Sequence, residues 1–137
     1  MSILVFSLGL IGIIGFQATA IKVSTESQAR TEAMLLADEL IVQMSVSDPA
    51  TLKSEFATGG SKYRSWFDDR VVGGSKLPSP SAAVFVSEGS TPTTMRVRVC
   101  IDWEVPGDKD VAGFSPDDEC PRSGTDPWKF QTTALVF

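Results

Sequence analysis

Cys100 and Cys120 are the only cysteines, and the chain has no histidine. Two thiols alone cannot build a typical zinc site, which takes four Cys or His ligands. No C-x-x-C redox spacing is present. The expected chemistry is therefore a disulfide, with two free thiols as the alternative. Pairing would close residues 100–120, a segment containing Pro106, Gly107, Gly113 and Pro116. A staple across such a loop contributes about 3 kcal/mol in the chain-entropy treatment and implies an oxidising compartment. Asp108, Asp110, Asp117, Asp118 and Glu119 lie in the same segment. Their carboxylates could hold a hard cation such as calcium. The spacing departs from the EF-hand pattern, so a solvated acidic loop is the preferred reading and no metal site is expected. Without histidine there is no Ser-His or Cys-His pair. Carboxylate pairs remain as possible acid–base groups. They concentrate in a loop with no pocket to expect around it, so no enzyme, no cofactor and no small-molecule substrate are anticipated. A net charge of −5 also argues against a nucleic-acid partner.

What must position these groups is an uneven chain of 137 residues, a one-domain length. All charged residues lie from Lys22 onward. Met1 to Ile21 is an apolar run of bilayer-spanning length, interrupted only by uncharged polar residues such as Ser7 and Gln17. A cleaved secretory signal is the first rival. Ala18-Thr19-Ala20 resembles a cleavage site, but no basic residue precedes the apolar run. A buried soluble helix is the second, and a domain this small could hardly cover it on every side. Gly9, Gly12 and Gly15 recur every third residue. They have two readings: glycine is common in transmembrane helices, or these three let neighbouring helices approach closely and the segment unwind locally.

No proline or glycine interrupts residues 16–47. Ala29, Ala33, Leu36, Leu40 and Met44 fall at helical spacing, with Ala37 and Ile41 beside them. One helix from about Ile3 to about Val46 is expected: residues 1–21 apolar all round, residues 22–46 apolar on one face. Ser47-Asp48-Pro49 stops it. Asp48 can cap a short helix that starts at Pro49 and carries Leu52 and Phe56. The remainder, 47–137, is expected to be β-rich. Its middle reads as a loop-rich connection, broken at Gly59-Gly60, Gly73-Gly74 and Leu77-Pro78-Ser79-Pro80-Ser81. Tyr63, Trp66, Phe67, Val71 and Val72 form an apolar island there, either a satellite of the core or a partner-binding patch. Ala82–Ser87 reads as a strand, followed by a turn at Gly89-Ser90-Thr91-Pro92. From Thr93 to Val105 apolar and polar residues alternate, with Val97, Val99, Ile101 and Trp103 on one face and Arg96, Arg98, Cys100 and Asp102 on the other. Residues 128–137 alternate likewise. The pattern suits an antiparallel sheet with one face on the core. The fold class is α+β.

Ser2-Ile3-Leu4-Val5-Phe6-Ser7-Leu8-Gly9-Leu10-Ile11-Gly12, then Gly15-Phe16-Gln17-Ala18, resembles the start of PilV-type minor pilins of type IV pili. Ala33-Met34-Leu35-Leu36-Ala37-Asp38-Glu39-Leu40 resembles the continuation of their helix. Trp66 ahead of Leu77-Pro78, and a strand running from Val97 to Trp103, are similar to that family as patterns. The resemblance implies a long N-terminal helix, transmembrane in its first half, packed on an antiparallel sheet with a C-terminal disulfide loop. It implies Ile3, Phe6, Gly9, Gly12, Gly15 and Phe16 as helix-packing and membrane residues, with Cys100 and Cys120 bridged. The family's signature of a glycine at the processing site, a phenylalanine and an assembly glutamate is not among these residues; by resemblance it would lie immediately upstream of Met1. The implied function is that of a structural minor pilin, held in the bacterial inner membrane with its domain in the periplasm, then assembled into a cell-surface pilus. Its implied partners are other pilins. A type II secretion pseudopilin shares these features, and a single-pass anchored binding module that never assembles is the alternative of another class.

Overall fold

A computed structural model describes residues 2–91, 93–104 and 130–137; within the first 22 residues it describes the side chains of Ile13, Gln17, Ala20 and Ile21. Helix α1 runs Ser2–Ser45 without a break. At about 1.5 Å per residue its 44 residues extend about 66 Å. Ser45 and Ser47 return their hydroxyls to the carbonyls of Ile41 and Gln43, occupying acceptors in the last turns. Helix α2, Pro49–Phe56, starts as expected: the Asp48 carboxylate accepts from the Ala50 N–H at 2.9 Å and proline occupies the first turn. Leu52 and Phe56, one turn apart, are both buried.

The middle of the chain corrects the loop expectation. Residues 61–72 are helical: α3 spans Ser61–Trp66 and passes directly into a π-helical turn at Phe67–Val72. Gly59 and Gly60 break the chain, but only between α2 and α3. Gly59 has φ +93°, where side-chain-bearing residues are strained. A Cβ on Gly60 would sit 2.3 Å from the Glu55 carbonyl oxygen. The turn can therefore be tight because both positions lack side chains. Tyr63, Trp66 and Val71 are buried and Phe67 is packed against the core. The apolar island is thus core, with Val72 left exposed.

Strands β1 (Ser81–Glu88), β2 (Met95–Asp102) and β3 (Phe130–Val136) form an antiparallel sheet in the order β1-β2-β3. Val84 lies opposite Val99, and Val97 opposite Ala134. The fold class is α+β, with the second half of α1 lying across the sheet. Ala33, Leu36, Ala37, Leu40 and Met44 meet Val84, Val97, Val99, Ile101 and Val136 in one core. The α1 stripe is the one expected from its spacing, and Val97, Val99, Ile101 and Trp103 are all buried. The opposite face of β2 needs a correction. The alternation reads it as the polar face, with the other face on the core, yet Cys100 is fully buried and Asp102 nearly so. Arg96, further back, is exposed and Arg98 half-buried. Alternation identifies the two faces of a strand but not what covers the second one.

Candidate functional site

Two regions bear on function: the N-terminal half of α1 and the polar ties that hold the rest of the chain to its second half. The core stripe of α1 begins at Ala33, with Ala29 packed at its edge. On the N-terminal side, Ile13, Ile21 and Val23 are 58%, 68% and 62% exposed. The helix continues through Ser2. A β-branched apolar side chain standing in water gains nothing there, so these residues ask for an apolar surrounding from outside the domain. The expected packing residues Ile3, Phe6, Gly9, Gly12, Gly15 and Phe16 all fall within this helix. Their side chains lie outside the described residues, as do most in the expected 1–21 span. Among the described residues, no helix is long and apolar enough to cross a membrane.

The other half of α1 is tied down at three levels. Trp66 donates its indole N–H to the Leu36 carbonyl at 3.2 Å, in a buried position. Arg70 binds both carboxylate oxygens of Glu39, at 2.8–3.1 Å. The Glu32 carboxylate accepts the Lys76 backbone N–H at 2.8 Å. Glu32, Leu36 and Glu39 are successive turns of one helix face, so the segment from α3 to Lys76 packs against that face, reaching Glu39 before it returns to Glu32. The Arg70–Glu39 pair is solvent-exposed, so it aligns the two elements more than it stabilises them. The π-helical turn belongs to the same device. Its wider winding carries Val71 into the core while Arg70 stays on the Glu39 side.

The outer edge of β1 is closed at Ala82 and Val84 from α3 and the end of α2. Thr58 bonds Val84 on both sides: its N–H and hydroxyl reach the Val84 carbonyl, and the Val84 N–H reaches its hydroxyl at 2.9 Å. One residue pair along, the Tyr63 hydroxyl donates to the Ala82 carbonyl at 2.6 Å. These bonds satisfy edge groups that would otherwise face solvent or another chain. Burial, and secondarily the negative charge of Asp68, push the Tyr63 hydroxyl up to about 12 from its ordinary 10.0. The folded protein then holds a proton that the unfolded chain releases. Its contribution is present in full below pH 10 and is lost as pH rises towards 12, by about 2–3 kcal/mol. Denaturation at stepped pH, with tyrosinate absorbance followed in parallel, tests this directly because Tyr63 is the sole tyrosine. Tyr63→Phe should flatten the alkaline slope.

Cys100 lies two residues before the end of β2, and its expected partner Cys120 lies outside the described residues, as do Asp108, Asp110, Asp117, Asp118 and Glu119. Among the described residues no group of three or more Cys, Asp or Glu is placed to hold a metal. The Glu39–Arg70 pairing and the tyrosine and threonine clamps on β1 were not foreseen from the sequence. Helical spacing of Tyr63, Trp66, Phe67, Arg70 and Val71 was the available signal for the first. Comparison with known protein families, curated proteins and solved structures finds no match to this chain.

Proposed function

We propose that this chain is a structural minor pilin of a type IV pilus. Residues 1–21 anchor it in the bacterial inner membrane, and the domain from about residue 22 onward stands in the periplasm, bridged between Cys100 and Cys120. On assembly the apolar helix leaves lipid and packs against the helices of other pilins, taking the domain to the cell surface. The supporting observation is the single helix Ser2–Ser45, sunk into a sheet through Ala33–Met44 while Ile13, Ile21 and Val23 stand exposed beyond the domain. A helix partitioned in this way has one half committed to folding and one half left for an apolar partner. In lipid its backbone bonds are satisfied internally. In a filament, small residues at Gly9, Gly12 and Gly15 would allow close helix approach. The role is structural rather than catalytic.

Gly12→Leu with Gly15→Leu tests this reading. Insertion into membranes should be unchanged, because leucine is at least as apolar as glycine. Incorporation into surface filaments should fall by tenfold or more, measured by shearing and immunoblotting. Equal incorporation would remove helix packing as the basis of function. Crosslinking in the native membrane separates the remaining readings. Adducts with pilins support the proposal; adducts with secretion-system components would reassign the chain as a pseudopilin. Recovery only as a monomer, with pilins coexpressed, would favour an anchored binding module.

A further inference from the structure

A cleft of about 340 Å³ lies beside the β1 edge, between the end of α2 and the face of the sheet turned away from α1. Lys53, Arg96 and Arg98 line it together with Phe85 and Val86. Three cations around one cleft are notable in a chain of net charge −5. None of the three belongs to an ion pair among the described residues. The Arg98 Nε is buried and has no hydrogen-bond partner there, a costly arrangement for a charged donor. The adjacent strand edge is also unfinished. Val84 turns its N–H and carbonyl outward to Thr58, so even-numbered β1 residues face the edge. Ala82 has its carbonyl capped by Tyr63. Val86 is the next outward residue, and no described residue bonds its outward N–H or carbonyl.

The geometry points to a binding site for an extended, carboxylate-rich peptide segment of a partner protein, added as a short strand at Val86. An added backbone supplies an acceptor and a donor at strand spacing for the same residue. Acidic side chains on such a strand complement Lys53, Arg96 and Arg98. Arg98 stands opposite Phe85 and Arg96 opposite Ser87, two residues apart on one face of β2. Alternate side chains of an added strand project to that same face, where long arginines reach across the intervening strand. Thr58 stops the register at Val84 and sets one end of the site. Pairing with a carboxylate satisfies the Arg98 Nε through a charge-assisted bond. The site is separate from the helix-mediated assembly above and stands or falls without it.

The test uses the full chain in nonionic detergent and a labelled peptide of alternating threonine and glutamate, with binding read by fluorescence anisotropy. A second peptide of equal charge carries proline in place of threonine, which removes the backbone donors of those positions, the ones that stand opposite Val86 when glutamates face the arginines. The first should bind, and the proline peptide should bind at least about tenfold more weakly. Arg96→Gln with Arg98→Gln, checked for folding by circular dichroism, should weaken the first peptide by about tenfold or more. Equal binding of both peptides, or complete displacement by millimolar inorganic phosphate, would reduce the site to general anion attraction and overturn strand addition. Absence of binding would overturn it outright. Dimers of the unliganded chain that the peptide dissociates would make the occupant a second copy and overturn a separate partner. The two peptides are compared on the unaltered chain, so this comparison remains decisive even where the arginine variant misfolds.

Discussion

Trp66→Ala is expected to lower the unfolding free energy by about 3–5 kcal/mol, the usual cost of emptying a large aromatic site in a core. Trp66 is 3% exposed and belongs to the central cluster with Leu36 and Leu40. It also carries, among the described residues, the buried side-chain bond from α3 to α1, to the Leu36 carbonyl. The loss therefore combines a cavity with the release of the segment that packs against α1. Trp66→Phe separates the two. It retains most of the apolar volume and removes the indole donor, so about 1–2 kcal/mol should be lost. Urea denaturation of the three proteins measures both. A Trp66→Phe variant as damaged as Trp66→Ala would shift the weight from packing to the hydrogen bond. A mild Trp66→Ala effect would mean that α3 is held mainly by Tyr63 and Arg70.

Cys100→Ser should cost about 3 kcal/mol if the proposed bridge to Cys120 closes residues 100–120. For a domain of this size that corresponds to a fall in Tm of about 10 °C. Cys100 is fully buried in β2, so serine also places a hydroxyl where a sulfur stood. A control distinguishes the causes. Reduction of the wild-type protein should reproduce most of the loss without changing any residue. Reduction that leaves Tm unchanged would refute the bridge, and the serine effect would then belong to the buried hydroxyl alone.

Local chemistry explains what could be read in advance. Asp48 and Pro49 specify a helix start within two residues, and the observed cap is the one they specify. The α1 stripe repeats over enough turns for one period to stand out, and all five of its leading positions, Ala29 to Met44, pack on the core. Val97, Val99 and Ile101 alternate cleanly enough to name their face. The helical stretch 61–72 was lost among breakers. Gly59-Gly60 and Gly73-Gly74 mark its two ends, yet they read as features of one long loop. The burial of Cys100 and Asp102 left no mark in the sequence, because the polar face of a strand looks the same whether covered or bare. The cationic cleft was equally hidden. Lys53 belongs to α2, and Arg96 and Arg98 belong to β2, so only the folded sheet makes them neighbours.

The position of α1 has a consequence for synthesis. Its stripe is the first part of the core to leave the ribosome, and β3, which helps cover it, is the last. Val136, the last residue of β3, is fully buried and completes the core. Until then Leu36, Leu40 and Met44 lack part of their cover, and contacts this distant in sequence form slowly. The nascent chain thus carries an open apolar surface until β3 has been made, and a chain cut short before β3 would keep that surface open.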